Sequence, residues 1–478
     1  MNYRMITYIL GWILLFESAF LLVPTVTALV YRESAVISFL LTIGICLLAS
    51  ALLIFKKPKD TDLHSRDGFV IVSLSWIVLS LFGALPFMFT GVTASFVDAF
   101  FETVSGFTTT GASIFPNVEI LPKSILMWRS FTHWVGGMGV LVFIMAFLPL
   151  SGGRNMHIMK AESPGPSVSK LVPRVRTTAL LLYTIYFALT LLQFVLLLCG
   201  KMPVFDALNT AFATAGTGGF GVKSDSIGSY SPYLQIVIAT FMLLFSLNFN
   251  SYFLVLKGKF KEAFNSEIRV FLLIVASAVA IIAWNIRHMF GTLGEALRQA
   301  FFSVSTIIST TGFATTDFAL WPQLSLTILV LLMFIGACAG STGGGIKVSR
   351  LIIVVKAIGR ELRTALHPKQ VKKITVDGKP TESDVARTTI TFFSCFIIIF
   401  TVSWLLVSLD NHDFATNFTA VAATMGNIGP GLSAVGPTCN YSFFSTTSKL
   451  VLIFDMLAGR LELFPMLLLF TPSTWKKN

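Results

Sequence analysis

The chain has 478 residues, of which 54% are hydrophobic and only 12% charged, and its mean hydropathy is +0.79. A soluble protein of this size needs far more charge to cover its surface, so the composition excludes a water-soluble fold and places the chain in a bilayer. The net charge of +12 sits mostly in loops between apolar runs, which argues for membrane topology rather than nucleic-acid binding; the five cysteines and six histidines are dispersed and give neither a disulfide framework nor zinc spacing.

The first apolar run, near 6–31, is too long for a cleavable signal peptide, and no small-residue cleavage site follows it. It predicts a membrane span. Further spans are predicted near 36–55, 68–90, 124–149, 178–199, 232–256, 268–287, 325–349, 387–409 and 447–471, each long enough for a hydrocarbon core of roughly 30 Å. Alternate loops carry most of the basic residues. Lys56, Lys57, Lys59 and Arg66 lie in the first of these loops, and Arg154, Lys160, Lys170, Arg174 and Arg176 in the next. Lys257, Lys259, Lys261 and Arg269 follow, and then the longest loop runs from Arg350 to Arg387. The basic side is the cytoplasmic one, which puts both termini inside the cell.

On the opposite side, four spans are each followed by a short amphipathic segment that cannot cross the membrane: 95–108, 203–213, 294–308 and 413–422. Each ends in a Thr/Gly element. In chain order these are Thr109-Thr110-Gly111, Thr214-Ala215-Gly216, Thr310-Thr311-Gly312 and Thr424-Met425-Gly426. One such element is an ordinary turn. Four at equivalent points of a span–short helix–loop–span unit make a repeat. The expected fold is therefore an all-α integral membrane protein with four span–pore-helix–span repeats around a pseudo-fourfold pore, at 68–150, 178–256, 268–350 and 387–478. Residues 1–67 form a two-span addition before them.

Irregular backbone at membrane depth is tolerated only where protein buries it or water lines it. Four loops entering from one side can meet on an axis. There, helix carboxyl ends favour a cation and rings of carbonyls can replace its water shell. The hydroxyls of Thr109, Thr214, Thr310 and Thr424 brace or line the loops in this reading. The residues by themselves point to a monovalent cation.

Two further features lie in the later spans. The stretch Gly336-Ala337-Cys338-Ala339-Gly340-Ser341-Thr342-Gly343-Gly344-Gly345 does not favour a straight helix. Either its glycines allow close helix packing, or the span breaks there to line the pore, with Ser341 and Thr342 satisfying freed backbone groups. Arg460 is costly inside the last span unless it pairs or faces water. It either pairs with Glu462 or Asp455, reaches for the interface, or faces water. On the outer side, Asp98, Glu102 and Asp206 either concentrate cations at a mouth or serve as solvated helix-start acids. Asp455 and Glu17 lie in or near spans, where structural pairing is one reading, and the sequence assigns them no proton pathway.

With these residues in view, the chain resembles the bacterial Trk-type potassium uptake membrane subunits, within the superfamily that includes the Ktr and plant HKT proteins. The likeness spans essentially the whole chain, and the two extra N-terminal spans match the Trk branch. The resemblance implies that Gly111, Gly216, Gly312 and Gly426 mark selectivity for K+, the transported ion. It also implies that the broken span at Gly336–Gly345 is an intramembrane gate below the filter, with Arg460 as a barrier beside it. Its implied setting is the bacterial inner membrane. Its implied partners are a second copy in a homodimer and a cytosolic TrkA-like ring of subunits that binds nucleotides. The chain has no GxGxxG or Walker A motif of its own, and it carries no acid–base constellation of an enzyme. A potassium symporter coupled to protons or sodium is the alternative function. Repeats that all enter from one side favour a channel-like pore over inverted-repeat alternating access.

Overall fold

The computed structural model describes residues 1–58, 64–139, 175–367, 374–377, 379–380 and 383–475. The expected basic residues Lys59, Arg154, Lys160, Lys170, Arg174, Lys369, Lys372, Lys373, Lys476 and Lys477 lie outside these residues, as does the inner half of the expected span 124–149. The chain is an all-α, multi-span membrane protein. Among the described residues one two-residue β-pair, Thr375–Val376 with Lys379–Pro380, is the exception.

Among the described residues, six helices are long and apolar enough to cross a membrane: Tyr3–Val30, Ala35–Ile54, Arg66–Phe89, Ala179–Cys199, Ser266–Met289 and Asp384–Asp410. These coincide with six expected spans. The other four expected spans are not continuous helices. The helix Lys123–Gly137 ends at a turn, where Gly139 takes a positive φ of 82°. Pro232–Phe245 is followed by Phe249–Leu256 after a 91° bend, with Asn248 capping the second piece through its side chain. Gln323–Ile335 stops at Gly336, whose φ is 70°. Thr446–Arg460 ends before Glu462 and Leu463, both at positive φ, and a short helix Phe464–Leu469 follows. Breaks of this kind leave carbonyls without helical partners, which only buried or water-lined surroundings tolerate.

Before each of these helices the chain forms another short one: Phe96–Phe107, Val204–Ala215, Leu293–Ile308 and Phe414–Gly426. Side chains cap three of their N-termini. The Ser95 hydroxyl accepts from the amide of Asp98, that of Thr292 from Glu295, and the Asp413 carboxylate from Thr416. The second helix begins after Pro203 with Asp206 in its first turn, where an acid complements the helix dipole. At about 18–24 Å, by the helical rise of 1.5 Å per residue, these helices are too short to span.

The two N-terminal helices pack tightly against each other and against Arg66–Phe89. Gly11 allows this approach: a Cβ there would lie 2.7 Å from Ile54 Cγ1, and Ser50 donates to the Gly11 carbonyl at 2.8 Å. Glu33, between the first two spans, accepts from the amides of Lys123 and Ser124 and so caps a helix far along the chain. Tyr3 donates to the Trp475 carbonyl at 2.8 Å, so the two ends of the described chain lie together on one face.

Candidate functional site

The four short helices end in the same way, bond for bond. After Phe107, the amide of Thr109 donates to Gly106 O and that of Thr110 to Ser105 O. The pairs Thr217→Thr214 and Gly218→Ala213, Thr310→Ile307 and Thr311→Thr306, and Asn427→Thr424 and Ile428→Ala423 repeat this pattern. It is the Schellman closure, and it needs a left-handed residue just past the helix. That residue is Thr109, Thr217, Thr310 or Asn427, with φ between 54° and 59°. Two residues further on, a glycine again takes positive φ: Gly111, Gly219, Gly312 or Gly429, at 79–93°.

This corrects the sequence register in two of the four loops. The residues equivalent to Thr109-Thr110-Gly111 are Thr310-Thr311-Gly312, as expected, but also Thr217-Gly218-Gly219 and Asn427-Ile428-Gly429. Thr214, Ala215, Thr424, Met425 and Gly426 lie in the last helical turn, and Gly216 is the residue that follows it. The hydroxyls of Thr214 and Thr424 turn back on their own helices, bonding Thr210 O and Ala420 O. Matching Thr-x-Gly letters misses the shift because Gly and Asn replace threonines in these loops. The signal that remained in the sequence is Gly218-Gly219 and Gly429-Pro430.

The four glycines pack the loops into a closed cycle. A Cβ on Gly111 would lie 1.9 Å from Gly218 O, and one on Gly219 would lie 2.0 Å from Thr311 O. A Cβ on Gly312 would lie 2.1 Å from Ile428 O, and one on Gly429 would lie 2.8 Å from Thr110 O. Each loop touches the next, and the fourth touches the first. All four glycines face one outer cavity.

The left-handed residues are strained, at about 1–3 kcal/mol each for non-glycine side chains; the Thr217 hydroxyl bonds Gly216 O at 2.6 Å, and the other three side chains reach beyond their own loops. Thr310 Oγ1 accepts from the Gly344 amide at 2.6 Å. Thr109 Oγ1 accepts from Arg460 at 3.3 Å. Asn427 donates to Met456 O at 2.9 Å and to Thr110 Oγ1 at 3.0 Å.

The glycine-rich stretch is a loop from Gly336 to Lys347, packed against the ends of the third and fourth short helices. Gly344 lies against Gly426, where a Cβ would come within 2.4 Å of its carbonyl, and Gly343 lies against Ser309. The Gly345 amide donates to Gly426 O at 3.1 Å. Thr342 bonds Phe245 O through its hydroxyl at 3.1 Å, while Ser341 bonds back to Cys338 O. Gly340 O accepts from the Phe249 amide. Glu267 holds both ends, accepting from Ala339 at 2.7 Å and from Ser349 at 3.1 Å. Lys347 Nζ turns inward onto Gly343 O.

Arg460 joins this loop to the first repeat. Its guanidinium donates to Thr342 O at 2.9 Å and to Gly137 O at 2.8 Å, and it also bonds Gly136 O. It thus caps the broken helix Lys123–Gly137 and satisfies carbonyls the break leaves open. It does not pair with Glu462 or Asp455: Glu462 binds Arg350, and Asp455 accepts from Ser403 at 2.6 Å. Arg460, Lys347, Gly343 and Gly344 line a second, inner cavity, whose lining shares no residue with that of the outer one.

The outer acids are not free charges at a mouth. Asp98 pairs with Lys449 at 2.7 Å, Asp206 accepts from Tyr230 at 2.8 Å, and Glu102 is buried against Arg129. Among the described residues no group of three or more His, Cys, Asp or Glu side chains could hold a metal. A cation here would meet backbone oxygens and hydroxyls. Glu267, Arg129, Gly219 and Gly429 are site residues that motif reading passed over.

Comparison with known proteins agrees with this geometry. The family model described as "TrkH: Cation transport protein" matches residues 36–477. The TrkH potassium uptake protein of the Trk system in Escherichia coli K12 is 37% identical, with all of both chains covered. TrkG of the same strain is 34% identical over 99% of each chain. The crystal structure of the potassium transporter TrkH from Vibrio parahaemolyticus superposes with a TM-score of 0.90, at 35% identity and full coverage of both chains.

Proposed function

The chain belongs to the TrkH family of cation transport proteins, and on that premise we propose that it carries potassium into the cell through a gated, channel-like pore. The four loops are the selectivity filter of a pseudo-fourfold pore. Backbone oxygens of segments 109–111, 217–219, 310–312 and 427–429 replace the water shell of K+. The observation that carries this reading is the closed cycle of glycine-to-carbonyl approaches. Glycine is the residue that tolerates both the positive φ and the missing space at each junction. Family membership makes the chain a transport protein and not an enzyme.

The loop Gly336–Lys347 is the gate. It lies between the outer and inner cavities and is tied to Thr310, Gly426 and Glu267. Arg460 reinforces the closed state: its charge repels cations and its hydrogen bond to Thr342 O holds the loop in place. The setting is the bacterial inner membrane, with both termini in the cytoplasm. The adjacency of Tyr3 and Trp475 and the basic loops support that orientation. The functional unit is a homodimer controlled by a cytosolic TrkA-like, nucleotide-binding ring. The helix Val348–Leu366 leaves the gate carrying Lys356, Arg360 and Arg363 and is the natural lever for such a partner.

Cation flux in sealed liposomes containing the purified protein tests the reading. A potassium flux that runs down its own gradient, rejects sodium and ignores an imposed proton gradient supports it. Potassium movement against its gradient, driven by protons or sodium, replaces it with coupled transport. If the protein alone is silent, the same assay with the cytosolic ring decides.

A further inference from the structure

We propose that the buried Glu102–Arg129 ion pair is a positioning device for the filter that fixes the junction between its first and second loops, and that selectivity depends on it. The proposal rests on the reading of these loops as a selectivity filter.

Glu102 lies in the first short helix and Arg129 in the helix after the loop. Arg129 Nε meets Glu102 Oε1 at 2.7 Å, and both side chains are almost wholly buried. The remaining groups of the pair are spent on the two loops. On the first loop, the other carboxylate oxygen accepts from the Ile114 amide at 2.9 Å. Ser113 Oγ lies 3.1 Å from both Glu102 and Arg129. On the second loop, Arg129 donates to Gly221 O at 3.4 Å and lies over the Phe220 ring at 4.0 Å. The chain leaving each loop is thus tied to one fixed fork, two or three residues past Gly111 and Gly219.

This arrangement breaks the likeness among the four loops. The positions seven residues before Thr217, Thr310 and Asn427, equivalent to Glu102 before Thr109, are Thr210, Ser303 and Ala420. The next junctions use neutral bonds. Ala314 donates to Ser226 Oγ at 3.2 Å between the second and third loops. Tyr441 donates to Ser113 O and Gly429 O between the fourth and first. A buried ion pair is weak as a stabilising device, because desolvation offsets the attraction. Its geometry is what it supplies: a planar fork that fixes several acceptors at once. The junction needs that, since a Cβ at Gly111 would lie 1.9 Å from Gly218 O, and a site loosened by about 1 Å loses its discrimination.

The test uses the full-length protein in liposomes and compares potassium with sodium flux under matched gradients. Ser113→Ala removes one hydroxyl shared by both partners without stranding a charge. Arg129→Lys keeps the charge but cannot hold Glu102, Ser113 and Gly221 together. We expect both to lower the potassium-to-sodium ratio about tenfold, the effect of one lost charge-assisted hydrogen bond, while the protein stays monodisperse and still conducts potassium. A purely structural role would lower folded yield and leave the ratio alone. If Arg129→Lys does not fold, Glu102→Asp takes its place. A ratio within about twofold of the parent in either folded variant overturns the proposal. A parent protein without selective flux removes the filter reading, and the brace with it, which is a different outcome from selective flux that the variants leave unchanged.

Discussion

Gly219 and Gly429 sit where Gly111 and Gly312 sit, at positive φ with a neighbouring carbonyl in the space a Cβ would fill. Changing either to alanine strains the backbone and pushes one loop off the next. We therefore expect Gly219→Ala and Gly429→Ala to reduce potassium-over-sodium selectivity as severely as Gly111→Ala does, measured as a flux ratio in liposomes. Arg460 acts in the opposite sense. Its removal frees Thr342 O and takes a positive charge from the path, so Arg460→Ala is expected to raise potassium flux several-fold at an unchanged ion ratio. Because the same side chain caps Gly136 and Gly137, that variant should also melt at a lower temperature. Arginine in an apolar span is conspicuous in a sequence, and Arg460 was legible for that reason. Gly219 was hidden, because its loop replaces the second threonine with Gly218 and the position is marked only by helix geometry.

Among the elements, the glycine-rich loop is held at both ends by one carboxylate. Glu267→Ala removes the acceptor of the Ala339 and Ser349 amides, so the loop loosens. Potassium flux through the purified protein in liposomes should rise, with selectivity retained; lower flux would mean that Glu267 supports the open arrangement instead. The fourth short helix depends on Asp413, whose carboxylate binds the hydroxyl and amide of Thr416. The Thr416 hydroxyl, with further hydrogen bonds, holds the Asp413 carboxyl below its usual range. A lowered folded value means the cap contributes fully above about pH 4 and is lost as the pH falls through that lowered value. Asp413→Ala should cost about 1 kcal/mol at neutral pH, seen as a lower melting temperature in detergent, and the difference from the parent should shrink in strong acid. The break at Gly336–Gly345 could be read from its five glycines. The break at Ser246–Asn248 could not, because no glycine or proline marks it; the one at Leu461–Leu463 is marked by Gly459 before it and by Pro465 in the first turn of the helix that follows.

At the scale of the molecule, six spans and four short helices follow directly from apolar length and amphipathic spacing, since lipid demands long apolar helices and tolerates short ones only within protein. What spacing along the chain does not encode is which loop meets which. The cycle from Gly111 through Gly218, Thr311 and Ile428 back to Thr110 joins residues more than three hundred positions apart. Likewise, Glu102 read as an outer acid because its partner Arg129 lies in a different helix. In the proposed reading the outer cavity, the ring of loops, the glycine-rich loop and the inner cavity form one path; Arg460 and Lys347 are among the residues that line the inner cavity.

The most direct test is to locate the ion. Crystals of the protein grown with rubidium in place of potassium should give anomalous peaks on the axis ringed by 109–111, 217–219, 310–312 and 427–429. Peaks beside Thr214–Gly216 and Thr424–Gly426, or bound rubidium only outside the ring, would contradict the filter described here.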